Sequence, residues 1–240
     1  RLLNYYFKFL LMTNNFERSA LIVGATGLVG SMVLDALLLD DYYESITVIS
    51  RRSSGKHHRK LKEIIVDFDK LEENSAEIKA NHVFCCLGTT INAAGSKEKF
   101  VLVDKIYPIK LAKICKENGT TEFLVITALG ASKNSWVFYN KVKGSLQDEL
   151  IKLKFDSLHI LQPSLIMGER TENRGGEKLA QLFFEKTNFL FQGPLKKYAG
   201  IEAKVIALAM VYYAKEGTKG THVHPSDEIQ TVWDDFYNGK

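Results

Sequence analysis

The sequence predicts an α/β fold in which a doubly wound parallel sheet carries helices on both faces. Short runs of β-forming residues alternate with helical segments along the chain, the pattern of right-handed βαβ units. Most of the predicted strands are uninterrupted apolar runs, which is typical of parallel strands buried on both faces. A glycine-rich turn directly follows the first strand. A ligand is therefore expected at the carboxyl ends of the strands, near the switch in strand order.

The elements follow one another in a regular order. The first strand is predicted over 20–23 and stops at Gly24, and five more strands are predicted over 46–49, 64–66, 83–87, 123–126 and 157–161. Residues 28–39 have apolar side chains at three- and four-residue spacing, which predicts a helix. Further helices are predicted over 97–117, where Asn118-Gly119 is the stop signal, and over 135–152, 179–190 and 203–214.

Composition excludes several classes of protein. The 240 residues are 45% apolar and 25% charged, which are ordinary globular values and exclude a disordered or collagen-like chain. The net charge of +4 is too small to indicate a nucleic-acid partner. Three cysteines form neither a disulfide framework nor a Cys-x-x-Cys zinc motif, so a reducing, cytoplasmic location is expected. His222 and His224 have no third metal ligand clustered with them, so we expect surface histidines and no metal site.

One domain accounts for most of the chain. Residues 1–18 are expected to be an N-terminal extension whose apolar run is too short to span a membrane, and a peripheral helix or a non-native leader is favoured over a signal peptide. No other segment is long enough for an integral membrane span. Residues 19–240 are expected to form an NAD(P)-binding Rossmann domain that includes a small C-terminal substrate cap from about residue 164 onward.

The glycine-rich turn predicts dinucleotide binding. It reads Gly24-Ala25-Thr26-Gly27-Leu28-Val29-Gly30, with the spacing G-x-x-G-x-x-G between a strand and a helix. Glycines in such a turn allow a tight bend, close approach of the backbone to a pyrophosphate, and close packing of helix on strand. The helix N-terminus also offers free N–H groups and the positive end of its dipole to phosphates. A turn that only joins two elements is the alternative.

Two arginines after the second strand favour NADP(H) over NAD(H). NAD-binding folds hold the ribose 2′-hydroxyl with an acidic residue about 20 residues past the glycines, whereas Arg51 and Arg52 occupy this place here. Guanidinium groups would bind a 2′-phosphate that a carboxylate would repel. A solvated basic loop is the second interpretation and nucleic-acid binding a distant third. Asp67, just past the third strand, is a candidate acceptor for the adenine amino group, although a surface carboxylate explains it nearly as well.

Tyr139 and Lys143 form a candidate catalytic pair. They are four residues apart and therefore share one face of the predicted helix. Carbonyl reduction needs an acid that protonates the new alkoxide, and a neighbouring ammonium favours the phenolate that this transfer leaves behind. Lys143 could also bind the nicotinamide ribose. The alternative is an aromatic core residue beside a surface lysine.

Taken together, the sequence resembles an atypical short-chain dehydrogenase/reductase, and more closely the Tat-interacting protein (CC3) oxidoreductase-like family. The matching motifs are Gly24-Ala25-Thr26-Gly27, Ser50-Arg51-Arg52, Val66-Asp67-Phe68, Phe84-Cys85-Cys86-Leu87-Gly88-Thr89-Thr90, Ala94-Gly95, Val103-Asp104, Gly130-Ala131, Tyr139 with Val142-Lys143-Gly144, Leu153-Lys154-Phe155-Asp156, Pro163, and Arg170 with Glu172-Asn173-Arg174. The Phe-Cys-Cys-Leu-Gly-Thr-Thr run is the most specific of them.

The resemblance implies roles for individual residues. Thr26 to Val29 would bind the pyrophosphate, and Arg51 and Arg52 the 2′-phosphate. Leu87 and Gly88 would lie at the adenosine-side ribose, and Tyr139 and Lys143 would be catalytic. Leu165, Ile166 and Arg174 would line the nicotinamide end.

The sequence departs from this pattern at one position. Related enzymes carry Ser-Ser after the fifth strand, and the second serine is the usual third catalytic member, whereas this chain has Thr127-Ala128. Alanine cannot donate a hydrogen bond to a substrate carbonyl. Either Thr127 or Ser132 substitutes, or catalysis is weak or absent.

The function predicted from these observations is hydride transfer between NADP(H) and an unidentified small carbonyl or alcohol substrate. The alternative is an NADPH-sensing regulatory or scaffold protein that presents its surface to protein partners and has little or no turnover. A nucleotide-sugar epimerase or dehydratase-like enzyme ranks third, because the part of the chain after Pro163 leaves little room for a sugar-nucleotide site.

Overall fold

The computed structural model describes residues 18–168 and 198–238. Its strands are β1 (Ser19–Val23), β2 (Ser45–Ser50), β3 (Leu61–Ile65), β4 (His82–Cys85), β5 (Glu122–Ile126), β6 (Ser157–Gln162), β7 (Ile166–Met167), β8 (Ile201–Glu202) and β9 (Gly220–Pro225). Seven of them form one sheet in the order β3-β2-β1-β4-β5-β6-β9, and every neighbouring pair is parallel. This confirms the predicted doubly wound parallel sheet. The short strands β7 and β8 pair separately.

Helices connect the strands and cover both faces of the sheet. They are α1 (Leu28–Leu39), α2 (Ile91–Ala94), α3 (97–117), α4 (Phe138–Lys152), α5 (Ala203–Glu216) and α6 (Ser226–Asn238), together with a 3₁₀ helix at Phe68–Glu77. In α3, the α-helical segments Lys97–Val101 and Tyr107–Glu117 are joined by a π-helical turn, Leu102–Ile106. No helix among the described residues is both long enough and apolar enough to cross a membrane.

The core has two layers because successive strand residues point to opposite faces. Ile22, Phe84 and Leu124 pack with α1 and α5 on one face. Leu21 and Val125 point to the other face, where side chains of α3 and α4 complete the layer. The uninterrupted apolar runs of the sequence therefore correspond to strands buried on both sides.

The topology fixes where a ligand can bind. β1 lies between β2 and β4, with Val23 opposite Ile49 on one side and Cys85 on the other. The chain leaves these strands toward opposite faces of the sheet, so a crevice opens at their carboxyl ends. The glycine-rich turn after β1 lies at this point.

Some element boundaries differ from those predicted. Helix α1 has the predicted bounds, whereas α4 begins at Phe138 and not at residue 135. The Ser135 hydroxyl accepts a hydrogen bond from the Val137 N–H, which gives this stretch a turn conformation. Strand β9 was not predicted. The predicted helix over 179–190 lies outside the described residues.

Candidate functional site

A large open cleft lies at the carboxyl ends of the central strands. Its volume is about 1980 Å³, above the range of about 300–1,000 Å³ typical of small-molecule sites, so it has room for a dinucleotide and a second ligand. Most of the predicted site residues line it, namely Gly24, Thr26, Gly27, Leu28, Val29, Gly30, Arg51, Arg52, Leu87, Gly88, Tyr139, Lys143, Leu165 and Ile166. Arg174 lies outside the described residues.

The glycine-rich turn brings α1 into close contact with β1 and β4. Gly24 has a φ of +85°, and a Cβ atom there would stand 2.5 Å from the Cys86 carbonyl oxygen. A Cβ on Gly30 would stand 2.1 Å from the Gly24 oxygen. Gly27 precedes α1 and caps it with no side chain, so the first N–H groups of this helix face the cleft. Backbone donors and the helix dipole therefore make this end of the cleft suited to an anion.

A basic loop borders the cleft beyond β2. Arg51 and Arg52 are exposed at its edge, and the Ser50 hydroxyl donates to the Arg52 carbonyl at 2.6 Å. Glu63 on β3 accepts hydrogen bonds from the Ser53 hydroxyl at 2.5 Å and from the Ser54 N–H at 2.7 Å. These bonds hold the loop in one shape while its guanidinium groups remain exposed.

Aromatic rings form the wall beside this loop. The rings of Phe68 and Tyr107 lie 5.4 Å apart, and the Tyr107 hydroxyl donates to Asp69 at 2.6 Å. Burial, and then the Asp69 carboxylate, raises the pKa of Tyr107 to about 12, so this hydroxyl stays protonated near neutral pH. Asp67 does not line the cleft: its carboxylate accepts the Asp69 N–H at 3.0 Å and caps the 3₁₀ helix. Asp69 is the acidic side chain that the structure brings to this wall.

The predicted catalytic pair lies at the opposite end. Tyr139 and Lys143 are both on α4, and the Tyr139 ring lies 5.4 Å from the ring of buried Phe100. Lys143 is buried, and its ammonium group lies 2.8 Å from Asp104 Oδ1. The Thr89 N–H donates to Asp104 Oδ2 at 2.9 Å. Burial, the largest single effect, acts to lower the pKa of Lys143. The charge and hydrogen bond of Asp104, together with the neighbouring Tyr139 and Cys85, outweigh it, so this pKa is raised and the lysine is an ammonium ion.

The structure also shows where the side chains of Thr127, Ala128 and Ser132 lie relative to the cleft. Ala128 lines the cleft with a methyl group. The Thr127 hydroxyl is buried, donates to the Leu161 carbonyl at 3.1 Å and accepts from the Gln147 amide at 2.7 Å. Ser132 is exposed, and its hydroxyl accepts the Asn134 N–H. Thr127 is therefore engaged elsewhere and Ser132 does not line the cleft. The proposed substitution of the missing serine by either residue is thus unsupported.

The far wall is formed by the segment after β6. Pro163, Leu165 and Ile166 line the cleft, and the Pro163 carbonyl accepts the Leu129 N–H at 2.9 Å. The Leu165 carbonyl accepts the Ile201 N–H at 2.9 Å, which ties this wall to β8. The assignment of this wall to the nicotinamide end of the site stays a prediction.

The histidines of β9 are not both on the surface, so that prediction is wrong for His224. Its ring is buried, stacks on Tyr213 at 3.7 Å, and hydrogen bonds His159 at 2.9 Å and Glu228 at 2.6 Å. His159 in turn contacts the Ser157 hydroxyl at 3.0 Å. The Glu228 carboxylate must accept, which orients the whole chain of bonds with both imidazoles neutral. Within 18–168 and 198–238, no group of side chains is arranged to hold a metal ion.

Sequence reasoning missed Asp104, Asp69 and Tyr107 as parts of the cleft. Asp104 belongs to a matched family motif, but no spacing rule assigned it a role. It reaches Lys143 from a different helix, so its place in the site depends on tertiary packing. Asp69 and Tyr107 likewise meet only because the 3₁₀ helix lies against α3.

Comparisons with known proteins show the family and the fold of this chain. The model of the NAD dependent epimerase/dehydratase family matches residues 20–132. Protein HTATIP2 of Rattus norvegicus is 36% identical over 172 residues, which cover 70% of this chain and 71% of that protein. The mitochondrial protein FMP52 of Candida albicans is 34% identical over 209 residues, which cover 84% of this chain and 90% of that protein.

Solved structures share the fold at low sequence identity. MoeE5 in complex with UDP-glucose and NAD is 13% identical, with a TM-score of 0.65 over 92% of this chain and 82% of that one. UDP-N-acetylglucosamine 4-epimerase from Methanobrevibacter ruminantium has a TM-score of 0.66 and 18% identity over 92% of this chain and 83% of that one. At such identities the likeness shows the fold.

The relatives overturn the cytoplasmic expectation. FMP52 proteins from several yeasts, including Candida albicans and Candida glabrata, are named mitochondrial. The cysteine content on which the expectation rested indicates a reducing environment, and this does not distinguish one such compartment from another. The prediction of a cytoplasmic protein is therefore wrong.

Proposed function

Because this chain belongs to the family of HTATIP2 and FMP52 proteins, atypical members of the short-chain dehydrogenases/reductases, we propose that it is an NADP(H)-dependent oxidoreductase acting on a carbonyl or alcohol. One observation carries the proposal. A single cleft has the uncapped N-terminus of α1 in its wall, two arginines at one end, and Tyr139 with buried Lys143 at the other. An extended anionic dinucleotide fits this distribution of charge.

Each end of the cleft has a separate part in binding. The N–H groups at the start of α1 would hold the pyrophosphate, and Arg51 and Arg52 the 2′-phosphate. Phe68 and Tyr107 would lie beside the adenine. Lys143, with its charge held by Asp104, would donate to the nicotinamide ribose and orient the ring toward the substrate.

Reduction of a carbonyl also requires a proton donor for the carbonyl oxygen. A bound reduced nicotinamide supplies the hydride to the carbonyl carbon. Tyr139 would donate its phenolic proton to the carbonyl oxygen as the alkoxide forms, and would recover it from solvent after release of the alcohol. Ala128 offers no hydrogen bond to this oxygen, so we expect turnover about 10²–10³-fold below that of a site with such a donor.

A screen of aldehydes and ketones with NADPH tests the proposal, with absorbance of the reduced cofactor as the readout. Tyr139→Phe should lower kcat about 10²–10⁴-fold and leave NADPH affinity within about twofold. Tyr212→Phe is the control, because Tyr212 is half-exposed on α5 and does not line the cleft. Turnover that survives in Tyr139→Phe would reject Tyr139 as the acid.

A second function is favoured by Ala128. A family member without the polarising donor could bind NADPH and act as a sensor or scaffold for protein partners. That function predicts saturable NADPH binding and no oxidation with any carbonyl in the screen. The substitution Ala128→Ser then distinguishes the two functions. If the new hydroxyl restores turnover, the protein is an enzyme that lost one hydrogen-bond donor; if turnover is still absent, the sensor or scaffold function is favoured.

The names of the yeast relatives support a mitochondrial location. Fractionation of cells that express the full-length natural protein, untagged and detected by antibody, tests this location. Recovery outside the mitochondrial fraction would reject it.

A further inference from the structure

A buried ion pair lies in the wall of the cleft. Lys143 Nζ and Asp104 Oδ1 are 2.8 Å apart, and their side chains are 4% and 0% exposed. Asp104 Oδ2 accepts the N–H of Thr89 at 2.9 Å. One carboxylate therefore joins the lysine of α4 to the turn after β4.

Two features of the backbone put this carboxylate in place. Asp104 lies in the π-helical turn of α3, and a π turn shifts the side chains of a helix relative to regular α-helical spacing. At Gly88, a Cβ atom would stand 3.5 Å from Asp104 Oδ1 and 3.7 Å from Lys143 Nζ. Because Gly88 has no side chain, the ion pair borders the cleft directly.

We propose that Asp104 is the positioning residue for Lys143, fixing the ammonium group against the turn formed by Leu87, Gly88 and Thr89 so that it can donate to the cofactor ribose. The inference rests on the proposed function, because it assumes that a nicotinamide dinucleotide occupies the cleft. Asp104 itself is buried behind Lys143 and acts through it.

The groups around the ammonium leave Asp104 as its anionic partner. Among the described residues, three titratable side chains act on Lys143: Asp104 from α3, Tyr139 from its own helix, and Cys85 from β4. Burial raises the pKa of the Cys85 thiol to about 11, so this group is neutral near pH 7. Without Asp104, the largest of the effects that raise the Lys143 pKa is lost, and burial, the largest effect of all, shifts this lysine toward the neutral amine.

The binding test compares NADPH affinity at pH 7 and pH 9. Wild-type affinity should change less than about twofold, because Asp104 keeps Lys143 charged throughout. In Asp104→Asn, affinity should fall about tenfold or more as the lysine loses its proton and its charge-assisted hydrogen bond. Lys143→Met and the double variant should bind weakly with no such pH dependence. A loss in Asp104→Asn that is equal at both pH values would overturn the inference.

Thermal unfolding without cofactor gives an independent readout. In Asp104→Asn, stability should rise with pH, whereas NADPH affinity should fall. A lysine whose folded pKa lies below its unfolded value makes stability rise with pH. Asp104→Asn should therefore be least stable relative to wild type at pH 6 and recover toward pH 9. The double variant Asp104→Asn/Lys143→Met, which lacks the buried lysine, should show no such trend. Asp148→Asn is the matched control. Asp148 lies on the same helix as Lys143, and its 2.8 Å ion pair with Lys133 is partly exposed.

The two readouts separate two kinds of failure. If wild type binds neither NADPH nor NADH, the proposed function fails, and with it the assumption on which this inference rests. If wild type binds and the unfolding difference does not vary with pH, Asp104 does not hold the lysine charged, and the positioning role is rejected. If Asp104→Asn does not fold, the same comparison is made with Asp104→Glu, which keeps the charge and should keep wild-type pH behaviour.

Discussion

Glu122→Gln should remove a loss of folding stability that wild type shows as the pH rises. Glu122 begins β5 and lies opposite His82 on β4 and Ser157 on β6, and only 6% of it is exposed. Its Oε2 atom makes no hydrogen bond to any described residue. Burial raises the pKa of this carboxyl to about 7 from an ordinary value of 4.5.

The magnitude follows from the proton balance. Between pH 4.5 and 7, the folded protein keeps a proton on Glu122 that the unfolded chain has lost, so stability falls as the pH rises. The full shift of the Glu122 pKa corresponds to about 3 kcal/mol in the free energy of unfolding, and about 2.5 kcal/mol of this is lost between pH 5 and pH 8. His82 stays neutral over this range, because burial lowers its pKa to about 4. At a few degrees of Tm per kcal/mol, the effect is on the order of 5–10 °C.

Urea unfolding at pH 5, 6, 7 and 8 measures the effect. Glutamine has nearly the same shape and no charge, so Glu122→Gln should gain stability relative to wild type as the pH rises and level off above pH 7. The variation of this stability difference with pH is the test. A glutamine amide at position 122 without good hydrogen bonds would lower the free energy of unfolding by the same amount at all four pH values. Glu117→Gln, at an exposed position, should show no trend. A difference between Glu122→Gln and wild type that is constant from pH 5 to pH 8 would show that Glu122 does not hold a proton in the folded protein over this range.

The remaining predictions concern the cleft. Gly30→Ala should abolish NADPH binding, while Gly27→Ala should weaken it less, because their Cβ atoms would meet the Gly24 oxygen at 2.1 Å and 3.2 Å; equal effects in a titration would contradict this. Thr127→Val should lower the free energy of unfolding by about 1–3 kcal/mol in a thermal unfolding experiment, because the Gln147 side-chain N–H loses its acceptor, and kcat per folded molecule should not change. Ala128→Ser should raise kcat about 10²-fold, and no rise would show that the lost serine does not limit the reaction.

The sheet was predictable because its strands and connecting helices carry local signals. Four-residue apolar runs mark β1 and β5, and Leu28 to Leu39 combines helical spacing with a glycine turn. Strand β9 was missed because its inward positions carry His222 and His224 where an apolar pattern would have marked them. A buried histidine is stable there only because His159 and Glu228 bond it, and neither partner is adjacent in sequence.

The site was predictable to the extent that it follows from spacing. Three local motifs line the cleft: the glycine turn, the arginines after β2 and the Tyr139–Lys143 pair. Each of them is recognisable from a short stretch of sequence. Asp104 could not be assigned, since its contact with Lys143 depends on a π turn and on packing between two helices. The direction of the Thr127 hydroxyl was equally hidden, because its partners lie on β6 and α4.

A calorimetric titration with NADPH and with NADH tests whether the cleft binds a phosphorylated dinucleotide. We expect saturable binding of both, with NADPH at least about tenfold tighter through its 2′-phosphate. Arg51→Asp should remove this preference, and Arg59→Asp should keep it, because Arg59 is exposed nearby but does not line the cleft. Equal affinities of wild type for the two cofactors would contradict the assignment of the arginines. If neither cofactor binds, the cleft is not a nicotinamide dinucleotide site and the proposed function is rejected.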